Sequence, residues 1–468
     1  MHKNHVYTIS LVFLLIFGFI LRFYKLSVQS LWIDEGFSIN GALQTLKYGY
    51  PLLESRFIYS GSLLNNYIIS FFIVILKDVI FASRLVSVIF GVLSILIIYY
   101  LGKEIYDKKV GIIAALFVTF STWEISWSRQ ARMYTQLQFF YLLSLYLFSK
   151  FLNNKNFKYF ILLIICTLAT IFSHSLGFSL LLIYFIYMLI NFNEFREVVK
   201  LLSNKKYFFV FIIAVSPILY LVIKSLVLSD FSFVNYFTKY IYYLRFSHTI
   251  LFYFALIGML FSLKEIKKSS LFLLSFFIPY LIISFIVILF HYRYLFFILP
   301  VLFIFTAYFI VNFSGYFKKL SSIISMILIF IVLLYGFSFI PKEEYKLESL
   351  TPQPNFKEVY SYIKENYDDE IIIDSYPVLS KIYLGKVDYG LNFSLTGREE
   401  DIVNVTNDVY TNVPYIDVDI LERIDNCYLI IDNLALERID SNLKDVIESM
   451  ILVKRGGSKL SEIRLYKC

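Results

Sequence analysis

Eleven stretches of this chain are apolar over the length that a bilayer demands, near residues 6–23, 84–101, 110–126, 133–149, 159–174, 176–190, 207–227, 249–263, 270–290, 295–312 and 321–340. A spanning helix needs about 20 predominantly apolar residues, and in lipid every backbone polar group must find its partner inside the segment. Such runs therefore fold as helices. Composition agrees: 59% of the 468 residues are hydrophobic and 17% charged, where a soluble chain is about a quarter charged. The mean hydropathy is +0.69. A soluble globular enzyme is excluded.

The net charge of +8 conceals two parts. Residues 1–340 hold 28 Lys and Arg against 11 Asp and Glu, whereas residues 341–468 hold 15 against 24. The first part belongs in lipid, and the acidic remainder is long enough for a core of its own. The expected fold class is a polytopic α-helical membrane protein of about eleven spans over 1–340, followed by a C-terminal soluble α/β domain over 341–468.

A twelfth run, 63–80, decides sidedness, because counting it reverses everything after it. With eleven spans and a cytoplasmic N-terminus, 16 basic residues of the membrane part lie inside and 12 elsewhere; a twelfth span makes this 9 against 19. The positive-inside bias prefers eleven. Ser62, Asn66, Ser70 and Lys77 fall in one sector of a helical wheel, so 63–80 reads as a juxtamembrane helix within a first external loop, 24–83. The same topology puts Trp32, Trp123, Trp127, His174, His248, His291 and the tail on the extracytoplasmic side. Arg22 and Lys25 suit a retained first span rather than a cleaved signal peptide.

No C-x-x-C pair occurs. Cys166 lies in an apolar run and is expected to be inert, while Cys427 and Cys468 are able to pair if the tail faces an oxidising space. In the tail, helices are expected near 355–367, 418–423 and 441–448, and strands near 370–374, 427–431, 451–454 and 462–467. Asp417-Val418-Asp419 has the form of a metal-binding D-x-D, but its place at a helix start makes N-capping the simpler reading. Asn392-Phe393-Ser394 and Asn404-Val405-Thr406 match glycosylation sequons.

Chemistry-bearing residues gather at span ends. Trp32-Ile33-Asp34-Glu35 follows the first span, where a carboxylate at the membrane surface suits a general base; a solvated loop or helix cap is the competing account. Arg129, Arg132 and Tyr134 open the fourth run, where arginine can clamp a phosphate bidentately. Two arginines on this side oppose the charge bias and need anionic partners. His291-Tyr292-Arg293-Tyr294 repeats the theme. His174 in a tight turn, Trp32 and Arg84 are weaker candidates for substrate contact, and Arg56 and Arg245 add positive charge only.

Leu31-Trp32-x-Asp34-Glu35, Arg84-Leu85-x-Ser87, Ser128-Arg129-x-Ala131-Arg132-x-Tyr134 and the late Arg293-Tyr294 junction, in this order and before an α/β tail, resemble the GT-C superfamily of membrane glycosyltransferases. The similarity is to the branch with the protein O-mannosyltransferases and aminoarabinose transferases. It implies inverting transfer of a sugar from a polyprenyl-phosphate donor to a lipid, glycan or protein acceptor on the non-cytoplasmic face, with no role for nucleic acid. Asp34 would be the base and Glu35 its support; Arg129, Arg132, Tyr134, His291, Arg293 and Tyr294 would meet the donor phosphate. A divalent metal, if one takes part, would be held by Asp34 and Glu35. No W-W-D-Y-G signature lies in the tail, which argues against transfer to asparagine. A transporter or flippase of lipid-linked saccharides is the alternative, but its usual paired halves and mid-membrane charges are absent from the sequence.

Overall fold

A computed structural model describes residues 2–59, 61–213, 234–345, 354–366, 369–393, 406–458 and 461–468. Both sequons, and most of the expected span 207–227, fall at least partly outside them. In chain order the helices begin with α1 (His2–Phe23), α2 (Ile33–Tyr48), α3 (Leu63–Leu76), α4 (Val79–Ile105), α5 (Lys108–Phe120) and α6 (Thr122–Ser128). They continue with α7 (Tyr134–Asn154), α8 (Phe157–Ser173), α9 (Ser179–Ile190), α10 (Phe192–Leu202), α11 (Phe237–Ser247) and α12 (Thr249–Ser262). Last come α13 (Ile266–Phe285), α14 (Leu299–Gly315), α15 (Ser321–Leu333), α16 (Phe356–Asn366) and α17 (Pro377–Tyr383), with shorter helices beyond. Apart from 207–227, each apolar run is helical over most of its length.

The residues form two compact units. One comprises Met1–Tyr24, Ser87–Arg129 and Met133–Pro341; the other comprises Lys25–Val86, Gln130–Arg132 and Lys342–Cys468.

The first unit is a helical bundle. His5–Phe23, Val79–Ile105, Thr249–Phe285 and Tyr292–Gly315 are long and apolar enough to cross a membrane, and Ser175–Ile190 with Phe192–Leu202, bent by 112°, makes a fifth if counted as one. Ile9 and Phe13 on α1 are 69% and 53% exposed, which water would penalise and lipid would not. Small residues set the closest approaches: a Cβ on Gly258 of α12 would stand 2.0 Å from the Phe305 carbonyl oxygen of α14, so only glycine permits this crossing. Arg22, fully buried near the end of α1, donates to the Val118 and Thr119 carbonyls at 2.8 and 3.2 Å and to Ser128 Oγ at 3.1 Å. It thereby satisfies carbonyls at the C-terminal end of α5 that have no helical partner.

The second unit is built on a five-stranded sheet of β1 (Ile371–Asp374), β2 (Tyr389–Gly390), β3 (Cys427–Asp432), β4 (Ile451–Ser458) and β5 (Ser461–Lys467), in the order β2-β1-β3-β5-β4. β1 pairs in parallel with β2 and β3, and β5 runs antiparallel to β3 and β4. Strand alternation splits the core. Ile372, Tyr428, Ile430 and Leu465 pack against Phe356, Val359, Tyr360 and Ile363 of α16, while Ile373, Leu429 and Ile431 pack against Ala435, Leu443 and Ile447 on the other face. β3 is buried throughout, as expected of a strand covered on both faces. Leu31 and Ile39 enter the first of these cores, Leu31 N–H donates to the Tyr383 hydroxyl at 2.9 Å, and Lys25 pairs with Glu343. These contacts bind 25–86 to the tail residues. Cys427 and Cys468 are joined by a disulfide, and Asp417 caps a helix by accepting from Ile420 N–H at 2.8 Å.

α3 has 14 residues, about 21 Å at 1.5 Å per residue and short for a bilayer. Of its polar stripe only Lys77, at the C-terminal end, is exposed, and Ser62, Asn66 and Ser70 are buried. Asn65 is buried as well, Ser70 Oγ donates to the Ala42 carbonyl of α2 at 2.8 Å, and Tyr67, Phe71 and Val74 point outward.

Candidate functional site

The second unit gathers the charged residues of the first loop. Asp34 and Glu35 lie in the first turn of α2, where the helix dipole favours negative charge, yet their environments diverge. Glu35 is fully buried and grips Arg84, Nε to Oε1 at 2.8 Å and Nη2 to Oε2 at 2.9 Å. It also accepts from Ala131 N–H at 2.8 Å and, in a capping box, from Trp32 N–H at 3.0 Å. The Gln130 amide, oriented with its NH2 toward the carboxylate, reaches Oε1 at 3.3 Å and Oε2 at 2.5 Å. Arg84 donates further to the Leu26, Gln29 and Ser30 carbonyls at 3.0, 2.7 and 3.0 Å. All five of its N–H donors are engaged.

Asp34 is different. Its side chain is 17% exposed, and Oδ2 lies 3.4 Å from Arg132 Nη2. Arg132 Nη1 is aimed by the Asp34 carbonyl and Ser38 Oγ, each at 2.8 Å, and by the Tyr59 hydroxyl at 3.3 Å. Tyr410 stacks on Phe37 with ring centroids 3.8 Å apart, and Asn40 Nδ2 donates to its carbonyl at 3.0 Å. Burial, with Tyr59 and Asp34 nearby, pushes the Tyr410 phenol up, so it stays protonated.

The first unit gathers a separate group. The Tyr134 ring lies 4.9 Å from Trp127, 5.8 Å from His174 and 6.0 Å from the Arg293 guanidinium. Tyr294 lies 5.9 Å from His174 and 5.5 Å from His291. Tyr134, His174, His291, Arg293 and Tyr294 are thus brought together by the start of α7, the turn after α8 and the 3-10 turn before α14. Arg129 turns elsewhere, donating to the Arg22 and Tyr24 carbonyls at 3.0 and 2.6 Å at the end of α1.

Glu124 escaped the sequence reading. It is fully buried on α6 and accepts from Gln138 Nε2 at 2.8 Å, while its Oε2 has no partner among the described residues. An acid between two tryptophans in an apolar run was the available signal. Gln130, Ser38, Tyr59 and Tyr410 carried none. Among the described residues no group of three His, Cys, Asp or Glu is placed to hold a metal. Both Glu35 oxygens are taken by Arg84, Ala131 N–H, Trp32 N–H and Gln130, which suits Glu35 to bracing and not to metal ligation.

The family model for dolichyl-phosphate-mannose-protein mannosyltransferases matches residues 60–221. ArnT from Cupriavidus metallidurans in the apo state superposes with a TM-score of 0.66 at 10% identity over 99% of this chain and 98% of that one. The chain resembles the GT-C membrane glycosyltransferases. A second ArnT structure, bound to undecaprenyl phosphate, gives 0.59 at 11% identity over 97% of both chains. The oligosaccharyltransferase of Archaeoglobus fulgidus, tethered to an acceptor peptide with an NVT sequon, gives 0.59 at 12% identity over 92% of this chain and 69% of that one. No curated protein matches by sequence. The likeness in fold thus extends over nearly the whole chain, beyond the third that the family model covers.

Proposed function

We propose that this protein is a glycosyltransferase of the membrane that takes a sugar from a polyprenyl-phosphate donor and passes it, with inversion, to a hydroxyl acceptor on the extracytoplasmic face. The observation that carries the proposal is the contrast between adjacent carboxylates: Glu35 saturated and sealed, Asp34 accessible beside Arg132. A hydroxyl is a weak nucleophile and needs a base within hydrogen-bond reach. Asp34 is that base. As the acceptor oxygen bonds to the anomeric carbon, its proton passes to Asp34 and the bond to the polyprenyl phosphate oxygen breaks.

The leaving phosphate develops charge that fixed cations must meet. In the first unit Arg293 is a cation of this kind, as the family resemblance implies, and it lies over Tyr134, which packs with Trp127 and His174, while Tyr294 packs with His174 and His291. Arg132 orients Asp34, Glu35 with Arg84 braces the loop that carries it, and Trp32 serves through its backbone in the same brace. The match to an ArnT structure holding undecaprenyl phosphate supports a donor of that chemical class. In the test, purified protein in phospholipid vesicles is given a panel of radiolabelled polyprenyl-phosphate sugars. Label passing to an acceptor with wild type and not with Asp34→Asn is expected; transfer unchanged by Asp34→Asn would remove Asp34 from the chemistry.

A further inference from the structure

The charged cluster around Asp34 lies near the beginning of α2, and the ring cluster lies at the Tyr134 end of α7; the first unit has a second polar feature at the other end of α7. There the ends of α4, α7 and α9 and the start of α13 surround a cavity of about 310 Å³, lined in part by Glu104, Ser149, Asn153, Tyr187, Lys267 and Lys268. Its volume is at the lower end of the ~300–1,000 Å³ of ligand pockets. α7 has 21 residues, so its two ends are separated by about 30 Å, one hydrocarbon thickness. If α7, which covers most of the expected span 133–149, crosses the bilayer, the cavity at its other end stands at the height of lipid headgroups.

Its charge is positive. Glu104 is neutralised by Lys150, Nζ to Oε2 at 2.6 Å, and its other oxygen takes Asn153 Nδ2 at 3.1 Å. Lys268 meets only Glu265, one turn back at 3.2 Å and exposed to solvent, and Lys267 makes no ion pair among the described residues. Leu152 and Leu271, both buried, give the cavity an apolar wall beside these two ammonium groups. Ammonium groups beside an apolar wall between helix ends match a lipid, whose phosphate meets the lysines and whose first acyl carbons meet the leucines, better than a free ion, which would gain nothing from leucine.

We propose that this cavity, at the end of α7 away from Tyr134, holds the phosphate headgroup of an anionic membrane phospholipid. The inference stands apart from the proposed activity, since it concerns another end of the bundle and needs no turnover. Purified protein is exchanged into phosphatidylcholine vesicles with or without phosphatidylglycerol, and retained phosphatidylglycerol is counted by native mass spectrometry. Wild type is expected to retain it, and Lys267→Gln with Lys268→Gln to bind it on the order of 25-fold more weakly, about fivefold per lysine. Ser149→Phe, which fills the cavity and leaves both lysines, must also lose the lipid. Lys318→Gln with Lys319→Gln, at a helix end outside the cavity, must keep it. Equal losses in the two lysine pairs, or retention by Ser149→Phe, would overturn the site in favour of diffuse surface charge. Displacement of the lipid by millimolar inorganic phosphate would overturn the lipid assignment in favour of a free anion.

Discussion

Arg84 forks onto Glu35 with both side chains fully buried and the two N–H to O distances at 2.8 and 2.9 Å. Taking one partner away strands a charge where water cannot reach it, which costs about 3–5 kcal/mol. Arg84→Ala and Glu35→Ala are each expected to lower the unfolding temperature in detergent and to reduce folded yield. The double variant should be less damaging than the sum of the singles, because no lone charge remains. Additive losses would show that the fork carries no coupling.

Asp34→Asn leaves that clamp intact and is expected to separate chemistry from stability. With the base removed, kcat should fall about 10²–10⁴-fold, while the unfolding temperature falls less than in Glu35→Ala, since asparagine keeps an oxygen to accept from Arg132 and the Asp34 carbonyl still accepts from its Nη1. A parallel fall in both measurements would make Asp34 a structural residue like its neighbour.

The contrast between these two neighbours was not legible in the sequence, where Asp34 and Glu35 are equivalent. What distinguishes them comes from Arg84, 49 residues on, and from the Ala131 N–H, 96 residues on. The helical runs were legible because lipid allows few alternatives to a helix. The sheet was legible because β1, β3 and the start of β4 are short runs rich in β-branched and other apolar residues, β1 and β3 being buried almost throughout as strands covered on both faces are. β2, with two residues, has no periodicity to detect. The arginines on the side opposed by the charge bias were read as needing anions. Arg132 has one in Asp34, and Arg129 also donates to the Arg22 and Tyr24 carbonyls at the end of α1, partners that no charge pattern announces.

Arg129 and Arg293 are therefore expected to respond differently. Arg129→Ala leaves buried carbonyls short of donors, at about 1–3 kcal/mol, and should lower stability with little change in donor KM. Arg293→Ala should raise donor KM and lower kcat with little loss of stability. Steady-state kinetics alongside thermal unfolding decides this, and reversed behaviour would exchange the two roles.

Asp374, at the end of β1, is fully buried and accepts from the Tyr360 and Ser380 hydroxyls and from Tyr376 N–H. Burial is the largest influence and pushes its carboxyl up from 3.8 to about 6, these hydrogen bonds opposing it. The folded state therefore binds more protons than the unfolded state between those values, so stability is greatest below the lower one and declines as pH rises through about 6. The decline is about 3 kcal/mol by pH 7. Asp374→Asn should lack it. The difference in stability between wild type and this variant, measured at pH 4.5 and pH 7, must shift against wild type at the higher pH; a shift in the other direction would mean that the hydrogen bonds outweigh burial.

The disulfide joins Cys427, the first residue of β3, to Cys468 after β5. It closes a loop of 41 residues around β3, two helices and the β4–β5 hairpin, and a loop of that size restricts the unfolded chain enough to stabilise by about 4 kcal/mol on the chain-entropy model. Residue 468 follows an edge-to-centre crossing in which β5 is held between β3 and β4, so reduction should loosen β5 first. Hydrogen exchange at Leu465 and Tyr466 is expected to accelerate about 10³-fold in dithiothreitol, or in Cys427→Ser, where opening proceeds through unfolding of the second unit. Exchange unchanged by reduction would show that the sheet, held by burial of Ile463 and Leu465 under α16, is stable without the cross-link.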